Sequence, residues 1–177
     1  MVKQLFVLAA LLVLNTGCAQ DAKQAGQPAA AARQSDPIYA YVDQARADLS
    51  KGKVDLINEV MQLSPAESAK FWPIYRNYEK ELATLGDQRV EMTKTFVRAF
   101  SDKTLNDQTA GTLSDQWFKF ENQRLDLLQK YYKRIADEVS PVRAAQFVQI
   151  ENRVGMVVDI SLASQLPLID TPTRHEP

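Results

Sequence analysis

Cysteine and histidine are nearly absent from this 177-residue chain, and their absence removes much of the chemistry open to a small domain. The one cysteine is Cys18 and the one histidine is His175. Without a second thiol no disulfide forms within the chain, and without an imidazole in its body a Ser-His-Asp or Cys-His site has no base. Zinc and di-iron sites lack their usual imidazole and thiolate ligands. Glycine is scarce, at six residues, and no glycine-rich phosphate loop occurs. Strand-like alternation of apolar and polar residues is missing as well. Charge of neither sign dominates: 21 basic side chains face 22 acidic ones, so the basic excess expected of a nucleic-acid binder is not there. Carboxylates are the remaining candidates for catalysis. Glu79, Glu81, Asp87 and Glu91 lie among Lys80, Arg89, Lys94 and Arg98, at spacings that normally give solvated ion pairs on a helix. The chain reads as one that binds or holds, not as an enzyme, and it implies no cofactor and no metal.

What is present begins with a basic residue, Lys3, an apolar run from Leu5 to Leu14, and the small residues Gly17-Cys18-Ala19. This pattern predicts an export signal over residues 1–19, too short to serve as a membrane anchor. Two cleavage routes are open. Gly17 and Ala19 suit ordinary signal cleavage, whereas Gly17-Cys18 suits lipoprotein processing, with Cys18 lipidated, although Asn15 stands where leucine is usual. Either route takes the mature protein out of the cytoplasm, and a lipid on Cys18 is the only membrane attachment expected. Residues 20–36 are rich in Ala, Gln, Gly and Pro and cannot bury enough apolar surface to fold, so they are expected to be a disordered tether. Residues 37–169 supply one helical domain, and 170–177 a loose polar tail.

Two stretches of that domain start alike. Leu63-Ser64-Pro65-Ala66-Glu67 and Val139-Ser140-Pro141-Val142-Arg143 each set a hydroxyl residue before a proline, a cap followed by a first helical position whose φ is already fixed. The first is also a capping box, with Ser64 and Glu67 able to bond each other's backbone N–H and Leu63 placed as a hydrophobic staple. The second has Arg143 in place of the glutamate and keeps half of the device. Each motif is followed by a phenylalanine, Phe71 and Phe147.

Apolar periodicity fills in an all-α fold of about four helices, an antiparallel bundle or an elongated cradle. A first helix from about Ile38 to Met61 carries Val42, Ala45, Leu49, Leu56, Ile57 and Val60, with Gly52 its weak point. A second carries Phe71, Ile74, Tyr75, Tyr78, Leu82, Leu85, Met92, Phe96 and Phe100. Pro73 lies inside it and predicts a kink or a short helix followed by a longer one. A third, from Asn106 or Asp107 to Glu138, has two apolar sides: Leu113, Trp117, Phe120, Leu128, Tyr131 and Ile135 on one, and Phe118, Leu125 and Tyr132 on the other. It is therefore either central in its bundle or shows its second side to a partner. The last helix, from Ser140-Pro141 to before Pro167, is apolar nearly all round between Val154 and Ala163 except at Asp159. That pattern suits either a helix sunk in the core or a dimer seam.

With two such helix starts, the chain resembles the Spy/CpxP-like family of periplasmic proteins, whose two Leu-Thr-x-x-Gln motifs map onto Leu63-Ser64-Pro65-Ala66-Glu67 and Val139-Ser140-Pro141-Val142-Arg143. It also resembles exported bacterial helical proteins of unassigned role that carry a Phe-Trp-Pro-x-Tyr element, here Phe71-Trp72-Pro73-Ile74-Tyr75, and a Glu-Asn pair, here Glu151-Asn152. The first resemblance implies a thin helical cradle, usually dimeric, that binds unfolded or stressed envelope proteins without ATP or reports stress to a membrane sensor kinase. The candidate client or dimer surface is Phe118, Arg124, Leu125, Lys130, Tyr132 and Lys133, with Arg134 beside it. Such a surface mixes basic and modest apolar groups, so that charge speeds encounter while weak apolar contact permits release. An envelope adaptor with one dedicated partner and a small-ligand-binding bundle are the competing readings.

Overall fold

The computed structural model describes residues 37–169, with side chains from residue 39 onward. The expected signal segment with Cys18, the tether and the tail with His175 lie outside the described residues. Four helices make up the described chain: α1 (Pro37–Met61), α2 (Pro65–Ser101), α3 (Asp107–Glu138) and α4 (Pro141–Ala163). Among the described residues there is no strand, and no helix is long and apolar enough to cross a membrane. The chain divides into two compact units, the first ending at Glu59 and the second beginning at Val60. In the first unit α1 runs unbroken through Gly52, with Ile57 buried and Val42, Ala45, Leu49 and Leu56 half-buried.

The second unit is built on α3, which packs against both α2 and α4. The two short connections, residues 102–106 and 139–140, return the chain in an antiparallel sense. All three helices of this unit are capped as their sequences foretell. Ser64 accepts from the Glu67 N–H while the Glu67 carboxylate accepts from the Ser64 N–H, a complete capping box. Asn106 caps α3 through the Thr109 N–H at 2.9 Å, and Ser140 caps α4 through the Arg143 N–H. The staple at the first start is incomplete: the fourth helical position is Ser68, so Leu63 meets no apolar residue there and stays half-buried. Scarce glycine has a cost at the other helix ends. Gln62 (φ 43°) and Lys103 (φ 54°) hold the left-handed backbone that follows α1 and α2, a position glycine usually fills.

Pro73 does not divide α2, which is one helix over Pro65–Ser101. Its ring is exposed, while Phe71, Ile74 and Tyr75 on either side are buried. Burial of three large side chains within one turn outweighs the roughly 3 kcal/mol that an interior proline costs.

The core of this unit is short. Phe71, Ile74, Tyr75 and Tyr78 from α2, Leu127, Tyr131 and Ile135 from α3, and Ala144, Phe147 and Ile150 from α4 are buried, with Phe120 and Ala99 as outliers. Edge-to-face aromatic contacts join them. Phe147 meets Tyr75 at 6.4 Å and Tyr78 at 5.0 Å, and Tyr78 meets Tyr131 at 5.4 Å. These rings span the gap between α2 and α4, whose backbones come no closer than 8 Å between Cα atoms. The apolar pattern of α2 continues past this core without being sealed: Leu82, Leu85, Met92 and Phe96 are half-buried and Phe100 is exposed.

Candidate functional site

The two similar helix starts meet in space. The Arg143 guanidinium, standing where the second motif departs from the first, donates to the Glu67 carboxylate at 2.8 and 3.3 Å, to the Met61 carbonyl and to the Gln146 amide oxygen at 3.1 Å. Gln146 also reaches the Val60 carbonyl. One side chain thus ties the capping box of α2 to the first turn of α4 and neutralises a carbonyl left open at the end of α1. The Arg143 hydrogen bonds, with those from Ser64, hold the Glu67 carboxyl at about 2, well below its ordinary 4.5. In the sequence Arg143 reads as a defect in a second box, because nothing local shows that its partner lies in the first.

Two tyrosine hydroxyls are bonded to glutamates of a neighbouring helix beside the core: Tyr78 donates to Glu151 at 2.9 Å across α2 and α4, and Tyr131 donates to Glu81 at 2.9 Å across α3 and α2. Burial, and then the neighbouring carboxylates, push the Tyr75 and Tyr78 hydroxyls far above the usual tyrosine range, and the same causes push Tyr131 up to about 12. Lys130 completes the Glu81 site at 2.7 Å, and its hydrogen bond is the first cause of the lowered Glu81 carboxyl. The Tyr78–Glu151 and Tyr131–Glu81 bonds fasten α2 to α4 and to α3.

Further along, charge takes over from aromatic packing. Asp159, the one charged residue in the apolar half of α4, accepts from Arg89 of α2 at 2.7 Å and lies 3.9 Å from Arg124 of α3. Arg89 also covers the Phe120 ring, 5.5 Å from its centroid. Arg124 passes over Gly155, with a guanidinium nitrogen 3.0 Å from where a Cβ would stand. The charged residues of α2 therefore do not pair only along their own helix. Lys94–Glu91 does so, but Glu81 and Arg89 reach the neighbouring helices.

The candidate surface on α3 divides accordingly. Phe118, Leu125 and Tyr132 are 59, 53 and 38 % exposed, and Lys133 is exposed beside Tyr132. Arg124 is held by Glu121 and turned towards Asp159, Lys130 points to Glu81, and Arg134 pairs with Glu138 on its own helix. On the other apolar side of α3, Phe120, Tyr131 and Ile135 are buried, Leu113 and Leu128 are half-buried, and Leu127, absent from the expected stripe, is buried. Trp117 is 47 % exposed, edge-to-face with Phe118 at 5.1 Å, because the core ends before its level. The apolar half of α4 is not sunk in a core. No residue from Val154 to Ala163 is buried, and Met156, Val157 and Ile160 are exposed. A helix needs cover on every side to be buried all round, and α2 and α3 supply it on one side only.

An open recess of about 380 Å³ between α2 and α3 is lined by Glu81, Thr84, Leu85, Gln123, Asp126, Leu127 and Lys130. The Gln123 amide oxygen is buried without a hydrogen-bond partner among the described residues. The described residues contain no group of three His, Cys, Asp or Glu able to hold a metal ion. No protein-family model, no curated protein and no solved structure matches the chain.

Proposed function

We propose that this is an exported, ATP-independent envelope chaperone or stress-sensing protein of the Spy/CpxP-like kind, which holds unfolded or stressed envelope proteins on the outward face of α3. The observation that carries the reading is the exposed stripe of Phe118, Leu125 and Tyr132 on a helix whose opposite side is the packed one. Large apolar side chains repeated along a surface are otherwise a liability in solution, and their usual explanation is an interaction site. Lys133 beside them gives acidic clients an attractive encounter without deep apolar burial, which suits fast capture and release. The signal-like first segment supports a periplasmic location, with Cys18 as the lipid attachment if lipoprotein processing operates.

A dedicated-partner adaptor of the envelope is the second reading, favoured by the regular spacing of the same stripe. The test is suppression of aggregation without ATP, followed by light scattering on dilution of two unrelated denatured proteins. Protection of both near equimolar ratio supports the chaperone. Protection of neither removes it and leaves the adaptor.

A further inference from the structure

Phe118, Leu125 and Tyr132 recur every seven residues, the spacing of one core position in a heptad repeat. The other core position then falls on Asp115, Asn122 and Gln129, and one flank on Lys119, Asp126 and Lys133, all of them exposed. The opposite flank is turned into the bundle, with Leu128 half-buried and Ile135 buried. This is a half-built coiled-coil seam: one helix, a straight row of apolar knobs, and a charged border of basic, acidic, basic residues for which no ion pair is found among the described residues. Lys119 and Lys133 lie about 21 Å apart along the axis at 1.5 Å per residue.

A second copy of the same helix fits this seam poorly. In the antiparallel register that sets all three apolar residues on apolar ones, Phe118 over Tyr132 and Leu125 over Leu125, Lys119 comes beside Lys133 of the copy and Asp126 beside Asp126. A slip of one heptad pairs Lys119 with Asp126 and Phe118 with Leu125, but it leaves Tyr132 over Gly111 and Lys133 beside Thr112. Parallel pairing places Glu121 beside Asp126 of the copy. Each arrangement gives up part of the apolar contact or of the charge match, and in coiled coils flanking charge of this kind decides partner choice.

We propose that the outward seam of α3 takes an amphipathic α-helix of another protein, with apolar residues at heptad spacing and carboxylates placed to face Lys119 and Lys133. The proposal rests on the reading of this stripe as a binding surface and specifies what it binds: a helical segment with an acidic border, such as a partly folded helical protein exposes before its own core closes. The helix lies along α3 and its apolar residues seat between Phe118, Leu125 and Tyr132.

The test uses the purified protein and three synthetic peptides. One has leucine at heptad core positions, with flanking glutamates placed to face Lys119 and Lys133 and a lysine placed to face Asp126, the second carries lysine at all of those flank positions, and the third is a scramble of the first. The glutamate-flanked peptide is expected to bind and to gain helix on binding, read by fluorescence anisotropy and far-ultraviolet circular dichroism. Leu125→Glu, a change at an exposed position, should weaken it at least about tenfold. The double reversal Lys119→Glu with Lys133→Glu should exchange the preference for the two flanked peptides. Equal binding of the scramble, no gain of helix, no effect of Leu125→Glu, or self-association of the protein through this stripe would each overturn the proposal. Denatured-client protection measured on the same Leu125→Glu protein separates the two ideas. If protection survives, the stripe is not the functional surface at all. If protection is lost while no peptide gains helix, the surface binds clients but the helical specificity is wrong.

Discussion

Phe147 and Ile160 are both large apolar residues of α4, a few turns apart, yet Phe147 is fully buried and Ile160 is 70 % exposed. The difference lies first in which side of α4 each occupies: at about 100° per residue Ile160 stands roughly 140° round the helix from Phe147, on the face that α2 and α3 leave bare. At the level of Phe147, Tyr75 and Tyr78 reach across and Tyr131 fills in from α3, so rings close a gap the backbones leave open. At the level of Ile160 the crossing is made by Arg89, Arg124 and Asp159. These ion pairs fix helix positions, and their stems cover Phe120 and Gly155 but leave Met156, Val157 and Ile160 exposed. The lesson is that apolar residues of one helix become core where a neighbour's rings reach them and stay open surface where they face away from both neighbours.

The largest expected effect breaks the packed end. Phe147→Ala removes a ring touching two tyrosines and should cost about 3–5 kcal/mol in urea unfolding, whereas Ile160→Ser, on the open end, should stay within about 0.5 kcal/mol. Equal losses at the two sites would abolish the distinction. Tyr78→Phe keeps the ring but takes the hydroxyl from Glu151, and should cost about 1–3 kcal/mol. Ser140→Ala removes the cap of α4 and should cost about 1 kcal/mol, while Lys103→Gly, relieving the left-handed backbone after α2, should gain about 0.5–1 kcal/mol.

The smallest effect is one of pH. Glu67 is held at about 2 by Arg143 and Ser64, below an ordinary value of 4.5. A carboxyl whose folded pKa is depressed stabilises the fold fully above its unfolded value and loses that contribution as pH falls through the folded one. Glu81 shifts in the same direction. Thermal midpoints should therefore fall between about pH 5 and 2, and Glu67→Gln should flatten the decline. An unchanged slope in that variant would show that the Glu67–Arg143 contact does not form in solution.

Much of this fold is legible in the sequence because its signals are local. Ser64, Asn106 and Ser140 mark helix starts within a residue, since a cap acts on the N–H groups two and three positions on. The second apolar side of α3 is equally legible, because heptad spacing needs no knowledge of neighbours. What the sequence hides is pairing at a distance: Arg143 with Glu67, Asp159 with Arg89, and the Tyr78–Glu151 bond each join residues about seventy or more positions apart. The apolar half of α4 misleads for the same reason, because composition does not report that α2 and α3 leave its outward face bare. The continuous course of α2 through Pro73 is hidden too, since the rings that hold it are fixed by contacts with α4.

The central claim is that α3 has one side that holds the fold and another that is free to bind. The double variant Phe118→Ser with Tyr132→Ser tests it, with urea unfolding and denatured-client protection measured on the same protein. An unfolding midpoint close to that of the parent, together with lost protection, is the predicted result. A midpoint lowered as far as that of Phe120→Ala would contradict the account and make the outward stripe part of the core.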